Sequence, residues 1–358
     1  MDGMVRAIGL MSGTSLDGID AALVETDGEG RFSTGPSLTL PYEEGFRTRL
    51  RGILGEQGGP AAIGAVEQEL TQLHHQAVET LMQRHGIAGI DVVGFHGHTI
   101  LHRPETGRTR QIGDGALLAR RLGTPVVSDF RSADVAAGGQ GAPFAPAWHR
   151  ALSGTLERPL AVLNLGGVAN VTWIGPGETE ILAFDTGPAN ALIDDWALKH
   201  TGKAVDLGGA LASRGTVDQA AVANFLAHPF FAVQPPKSLD RDDFVRLVPH
   251  HLSAEDGAAT LTRITAASVA RAVDHLPQAP KRWLATGGGR HNPVLMAAIA
   301  DALGCPIAPV EQVGWDGDAL EAQAFAYLAV RSLRGLPLSY PGTTGVPAPQ
   351  TGGVVARP

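Results

Sequence analysis

The chain has 358 residues, 46 of them Gly and 24 Pro, with 44% apolar residues and a formal charge of −8. At roughly 100–200 residues per domain, that length suggests two domains or one large α/β unit, and the apolar share excludes a disordered chain. The acidic balance argues against a general nucleic-acid or membrane-surface binder, no stretch reaches the ~20 apolar residues of a transmembrane helix, and the single Cys305 excludes an internal disulfide.

Elements follow in chain order. Met1 to Leu10 lacks the basic and apolar regions of a secretory signal. Residues 5–10 read as a buried strand, Ser12-Gly-Thr-Ser15 as a turn, and Ile19 to Val24 as a return strand. Ile63, Val66, Leu70, Leu73, Ala77 and Leu81 recur at helical spacing over 61–85, with Gly86 as the C-cap. Asp91 to Phe95 is a short strand leading into a loop, His96-Gly-His98, and Ala116 to Leu122 is a helix stopped by Gly123. Pro125 to Ser128 is a strand, and the Gly- and Pro-rich Ala136 to Pro146 a loop. The opening pattern then recurs: strand Leu160–Leu163, turn Asn164-Leu-Gly-Gly167, return strand Val171–Ile174. The two Gly turns lie about 150 residues apart, close to half the chain, which suggests an internal structural duplication. Ile181–Phe184 is a strand before Asp185-Thr-Gly-Pro188 and a helix through Trp196. Leu261–Leu276 is helical, Arg282–Thr286 is a strand ending at Gly287-Gly-Gly289, and Val294–Leu303 is a helix. A strand at 306–310 and a final helix, Ala319–Leu333, precede an extended tail rich in Pro and Gly. Helices alternating with apolar strands predict an α/β fold. Cys305 reads as a core residue at the entry of the 306–310 strand, against the alternative of a nucleophile.

Gly usage is nearly twice the average of about 7%, has no three-residue period and is spread along the chain. Such glycine marks tight turns or places where backbone approaches a ligand. In Ser12 to Asp20, small residues leave backbone N–H groups exposed and three hydroxyls could donate to phosphate oxygens. Asp17 and Asp20 could hold Mg²⁺ through water. Gly166-Gly167 and Gly287-Gly-Gly289 would let a phosphate or a base lie on the main chain. Neither G-x-G-x-x-G after a strand nor G-x-x-x-x-G-K-[ST] is present, which weakens Rossmann and P-loop readings. Asp185, at the carboxyl end of an apolar strand, could be a general base or could simply cap the next helix with Thr186 or Gly187. His96, His98 and His102 fit hydrogen bonding to a polar ligand better than a metal. Arg131 could grip a carboxylate or phosphate bidentately, or form a surface ion pair.

The string Gly9-Leu-Met-Ser-Gly-Thr-Ser-Leu-Asp-Gly-Ile-Asp20 resembles the N-terminal signature of the anhydro-N-acetylmuramic acid kinases. The likeness continues through Gly94-Phe-His-Gly-His-Thr99, Gln111-Ile-Gly-Asp114 and Asp129-Phe-Arg131 with Gly138-Gly-Gln-Gly-Ala-Pro143. It goes on through Asn164-Leu-Gly-Gly-Val-Ala-Asn170, Phe184-Asp-Thr-Gly-Pro-Ala-Asn190, Thr286-Gly-Gly-Gly289 and Pro341-Gly-Thr-Thr-Gly-Val-Pro347. It thus spans essentially the whole chain. His98 is a departure, since the family commonly has Gln there.

The resemblance implies two similar α/β domains of the actin-like ATPase (ribonuclease H-like) type with an ATP cleft between them. The domains would be 1–150 and 151–318, with the final helix near 319–335 rejoining the first and 336–358 an extended tail. It implies phosphate binding at Gly13, Thr14, Ser15, Leu16, Asp17, Gly18, Ile19 and Asp20 and at Gly166 and Gly167. Adenosine would lie at Gly287, Gly288 and Gly289, and substrate contacts would come from His96, Arg131 and Asn190. Asp185 would deprotonate the water that opens the 1,6-anhydro ring while O6 takes the γ-phosphoryl group of ATP, with Mg²⁺ as cofactor. The implied setting is a cytoplasmic enzyme of peptidoglycan recycling, with no nucleic-acid or membrane partner and a homodimer as its assembly. Three rivals predict otherwise. A sugar kinase acting on a free hydroxyl would need no water, an Hsp70-like ATPase would need a peptide-binding domain, and a non-catalytic binding module would not explain the Asp185 turn beside a hydroxyl-rich hairpin.

Overall fold

The computed structural model describes residues 3–13, 15–177, 179–239 and 243–358. Thr14, in the first phosphate turn, lies outside the described residues. Two compact units divide the chain: Met1–Gly154 with Ala319–Pro358, and Thr155–Asp318.

The first unit begins with an antiparallel meander, β1 (Val5–Ser12), β2 (Gly18–Thr26) and β3 (Phe32–Pro41). Helices α1 (Glu44–Arg51) and α2 (Gly59–His85) follow. Then come β4 (Val92–Arg103), β5 (Arg108–Ile112), α3 (Gly115–Leu122), β6 (Val126–Ser128), α4 (Ser132–Ala136) and α5 (Ala145–Leu152). β4 is parallel to β1 and β6 parallel to β4. β1 is central, so its apolar residues Ala7, Ile8 and Leu10 are all buried, whereas edge strand β3 is largely exposed. α2 buries Ile63, Val66, Leu70, Ala77 and Leu81 and stops at Gly86 in the left-handed region, as its spacing predicts.

The second unit repeats this order. β7 (Leu160–Leu165), β8 (Val168–Ile174) and β9 (Ile181–Pro188) form an antiparallel meander. Helices α6 (Asn190–Thr201), α7 (Gln219–Leu226) and α8 (Ala254–Ala272) precede β10 (Arg282–Thr286), α9 (Pro293–Leu303) and β11 (Ile307–Pro309). β10 is parallel to β7 and β11 to β10. Within each unit, taking strands as they enter the pattern, both sheets run third–second–first–fourth–fifth with the same senses. Both sheets are mixed and carry helices, an α/β arrangement, and the duplication suggested by the two Gly turns is visible in topology.

The chain then re-enters the first unit through α10 (Leu320–Leu333), α11 (Pro341–Thr344) and β12 (Val354–Ala356). α10 lies on neighbouring glycines of β1 and β4, Gly9 and Gly94, which pair in register. A Cβ at Gly9 would sit 1.8 Å from the Ala322 carbonyl oxygen, and one at Gly94 2.0 Å from that of Phe325. Only glycine permits so close a backbone approach. The tail differs from the extended segment its composition predicts: α11 is a helical turn, and β12 pairs antiparallel with β6 as a sheet edge. Among the described residues no helix is long and apolar enough to cross a membrane. Cys305 is partly buried against the apolar core of the second unit.

Candidate active site

In the first unit, β1 ends at Ser12 and β2 starts at Gly18, leaving residues 13–17 as the turn. Leu16 adopts φ +59°, unusual without glycine, and its side chain is buried. Ile19 is also buried, and a Cβ at Gly18 would lie 2.5 Å from the Leu40 carbonyl oxygen. These side chains therefore serve packing, and among the described residues the polar side chains of residues 13–20 are Ser15 and Asp17 of the turn and Asp20 of β2. Ser15 Oγ donates to Asp17 Oδ1 (2.6 Å), and Thr39 Oγ1 donates to Asp20 Oδ1 (2.6 Å). The expectation of three hydroxyls facing phosphate is corrected at Ser12. Its Oγ is buried 2.6 Å from Tyr42 Oη and 2.9 Å from His98 Nδ1. Burial pushes the Tyr42 phenol pKa up against its bond to Ser12, which lowers it, and Asp17 and Asp20 raise it further. Burial also lowers His98 to about 4, so its ring is neutral at physiological pH. A second buried histidine, His74 on α2, is likewise at about 4, with Nδ1 2.8 Å from the Leu70 carbonyl.

The histidines predicted in a loop belong instead to strand β4, extended through Arg103. They do not converge: among the described residues no group of three His, Cys, Asp or Glu is placed to hold a metal ion. His98 meets Ser12, while His102 Nδ1 meets Thr109 Oγ1 at 3.1 Å. His96 meets Arg131, whose Nε and Nη2 lie 3.1 and 2.9 Å from His96 Nε2. His96 Nδ1 is 2.9 Å from the Gly97 carbonyl oxygen, which can only accept, so the ring carries its proton on Nδ1 and accepts at Nε2. Burial first, then Arg131, holds His96 well below its usual range. His96 is therefore a fixed neutral acceptor that aims the guanidinium. Arg131 Nη1 also donates to the Gly141 carbonyl oxygen (2.6 Å). Burial lowers the Arg131 pKa to about 10, opposed by Glu321 and Asp134. Among the described residues its guanidinium bonds to no carboxylate, which removes the surface ion-pair alternative.

Asp185 lies within β9, not in a helix-capping turn. β9 runs through Pro188, Ala189 precedes α6 and offers no side-chain cap, and the capping alternative for Asp185 is set aside. In the β8–β9 register Asn170 faces Asp185 and Ala169 faces Gly187, so Thr186 is the extra residue of a bulge. Bulges bend a strand and re-aim its side chains. The Asp185 N–H donates to the Lys237 carbonyl (3.0 Å), and Leu239 N–H donates to Asp185 Oδ2 (2.7 Å). Lys237 is itself buried, its Nζ 3.1 Å from the Phe230 carbonyl and 4.6 Å from the Phe230 ring, and burial lowers its pKa to about 8.

The β7–β8 turn is Gly166-Gly167, and its carbonyls accept N–H groups of Ala189, Asn190 and Ala191 at the start of α6. Asn190 Nδ2 donates to the Leu165 carbonyl (2.7 Å), placing Asn190 beside this turn and in the other unit from His96 and Arg131. The glycines here divide into two kinds. A Cβ at Gly287 (φ +75°) would lie 2.4 Å from Asn164 Oδ1, and one at Gly289 2.7 Å from Leu165 Cβ, so the fold itself demands both. A Cβ at Gly13, Gly166, Gly167 or Gly288 would meet no protein atom nearer than 3.5 Å. Packing gives no reason for those four to be glycine.

Sequence reasoning missed Glu321, in the first turn of α10. Burial raises its carboxyl pKa, Asp20 and Asp17 raise it further, and Arg131 opposes them; the side chain reaches solvent, which mutes the shift without reversing it. Only helical spacing marked it in the sequence, because its neighbours are reached through the Gly9–Gly94 platform.

The anhydro-N-acetylmuramic acid kinase profile matches residues 5–357. The chain belongs to this family. A kinase named for this activity in Paramagnetospirillum magneticum is 60% identical over 352 residues, covering 97% of this chain and 98% of the relative. One from Rhodospirillum rubrum is 58% identical over 354 residues, covering 98% and 94%. Among solved structures, the xylulose kinase from Rhodospirillum rubrum aligns at 13% identity with a TM-score of 0.46, covering 99% of this chain and 94% of that one. A likeness at that level carries nothing about chemistry.

Proposed function

We propose that this chain is an ATP-dependent anhydro-N-acetylmuramic acid kinase that opens the 1,6-anhydro ring and yields N-acetylmuramate 6-phosphate in cell-wall recycling. The observation that carries this reading is the family match over residues 5–357. In the reaction, Asp185 takes a proton from the water whose oxygen bonds to C1. The C1–O6 electron pair stays on O6, O6 bonds to the γ-phosphorus, ADP leaves, and Asp185 returns its proton to solvent. The Leu239 N–H on Oδ2 fixes the direction of the carboxylate. Arg131, aimed by His96, binds the carboxylate of the lactyl group. Backbone at Gly13, Gly166, Gly167 and Gly288 lies against ATP, and Asn190, whose Nδ2 braces the second turn, is a further substrate contact.

The residues present fit a divalent cation. The charge of Asp20 and Asp17 adds to burial, the larger effect, in raising the Glu321 carboxyl pKa, and a cation held through water would offset that charge. Asp17 and Asp20 would hold Mg²⁺ through water, and the bound ion would neutralise charge on the transferring phosphoryl group. A cytoplasmic homodimer is the assembly proposed with this activity.

The test is purified protein with Mg-ATP offered anhydro-N-acetylmuramate and free amino sugars, following ADP release and product mass. Turnover of the anhydro sugar with ¹⁸O from labelled water at C1 is expected. Turnover only of free hexosamines, or product without label at C1, would sink the coupled hydrolysis.

A further inference from the structure

The motif Pro341 to Pro347 has no part in the reaction above, yet it is tied to the sugar-binding loop through one buried carboxylate. Asp134, on α4, is 1% exposed. Its Oδ1 accepts the Gly141 N–H (2.6 Å), and its Oδ2 accepts the hydroxyls of Thr344 (2.6 Å) and Ser339. Both hydroxyls are buried, and the Thr344 carbonyl accepts the Gln140 N–H (2.7 Å). The far side of the loop is equally constrained. A Cβ at Gly139 would lie 2.6 Å from Val346 Cγ1, and Gly141, at φ +67°, would place one 2.6 Å from Val135 Cγ2. From this loop the Gly141 carbonyl receives Arg131 Nη1.

A carboxylate buried on neutral donors is a costly way to fasten a tail, since apolar packing would serve. Here the charge also acts on Arg131, whose guanidinium it stabilises without touching. The root of the tail is anchored independently: Arg331 donates to the Pro337 carbonyl (2.6 Å) and to Tyr340 Oη (2.9 Å), and Arg150 donates to the same oxygen (2.7 Å). Folding of the segment thus does not depend on Asp134 alone.

We infer that Ser339 and Thr344 are positioning residues for the sugar site, holding Asp134 and, through the Gly141 carbonyl, fixing the Arg131 guanidinium. The inference rests on the proposed role of Arg131 in binding the sugar carboxylate. The chain length between α10 and the motif lets the tail reach back over the first unit, and that return makes the sugar loop rigid before any ligand arrives.

The experiment compares steady-state kinetics of Thr344→Val, Ser339→Ala and Thr344→Ser, varying anhydro sugar and ATP separately. Thr344→Val and Ser339→Ala are each expected to raise the sugar KM about tenfold, the scale of a slightly misplaced binding group, with the ATP KM within about twofold. Thr344→Ser keeps the hydroxyl and is expected to restore the wild-type sugar KM. In an Arg131→Met background, Thr344→Val is expected to add nothing further. A merely structural strap would lower the active fraction and so kcat, leaving both KM values alone; that result overturns the inference. An additive effect in the Arg131→Met background, or loss of folding in both Thr344→Val and Ser339→Ala, overturns it as well. Wild-type protein that fails to turn over the anhydro sugar refutes the function itself, whereas normal wild-type turnover with an unmoved sugar KM in Thr344→Val refutes only the positioning.

Discussion

In the first unit the link from β1 to β2 carries Asp17, Asp20 follows on β2, and the hairpin stands on a buried string of Tyr42, Ser12 and His98. In the second, the matching turn after β7 is two bare glycines whose carbonyls are bonded to the start of α6, and its carboxylate, Asp185, is carried on the neighbouring strand. One topology has thus been filled with opposite materials. The first hairpin concentrates charge and needs a polar foundation, while the second offers backbone alone and leaves chemistry to a bulge. A shared strand order fixes where a ligand-facing turn falls and leaves its chemistry open.

The sharpest way to break this contrast is Asp185→Asn. Turnover is expected to fall roughly 10²–10⁴-fold, the usual range for a general base, while calorimetry still detects both substrates. Near-normal turnover would move the reacting carboxylate out of the second unit. Next in size, Arg131→Met is expected to lower kcat/KM for the anhydro sugar about 10–100-fold, the scale of a lost charge-assisted hydrogen bond. The ATP KM should hold, and an equal rise in both would deny the first unit its sugar-binding role.

Within the second unit, Gly288→Ala is expected to raise the ATP KM about tenfold at unchanged melting temperature, since protein leaves room for the methyl group and ligand does not. Gly287→Ala is expected to do the reverse, costing about 1–3 kcal/mol of stability through its positive φ and the Asn164 clash. Identical behaviour of the two variants would remove the distinction between packing glycines and ligand glycines.

The smallest effect at neutral pH comes from the foundation of the first hairpin. His74 and His98 titrate near 4 when folded, against an ordinary 6.5. The unfolded chain therefore binds more protons between those values, so their contribution is present above about pH 6.5 and is lost as pH falls toward 4, up to roughly 3 kcal/mol for each. Melting temperature should drop across that window in the wild type and less steeply in His98→Gln, whose amide can still accept from Ser12. A slope unchanged by His98→Gln would show that His98 is not buried in its neutral form.

Much of this was legible beforehand because it is local. The α2 spacing and its Gly86 cap, the two Gly turns and the apolar strands all express rules that act within a few residues. Misreadings fell where neighbours distant in sequence took over. The Asp185-Thr-Gly-Pro188 string looks like a cap because Thr, Gly and Pro begin helices; pairing with β8 keeps it a strand. His96 to His102 looked like loop residues because Gly97 interrupts them, yet β5 pairs along the second half of β4 and extends it.

By itself, then, the sequence determined the α/β class, the duplicated meander, the family and the identity of the groups that carry charge, since periodicity, turn chemistry and motif order are properties of the chain. Tertiary structure alone decided which glycines packing requires and which stand in open space. It also decided that Ser12 faces inward, that Glu321 shares the field of Asp17 and Asp20, and that the tail governs the loop behind Arg131. Each of these depends on what stands opposite a residue across the fold, and the partners are separated by up to about 300 positions that no local rule spans.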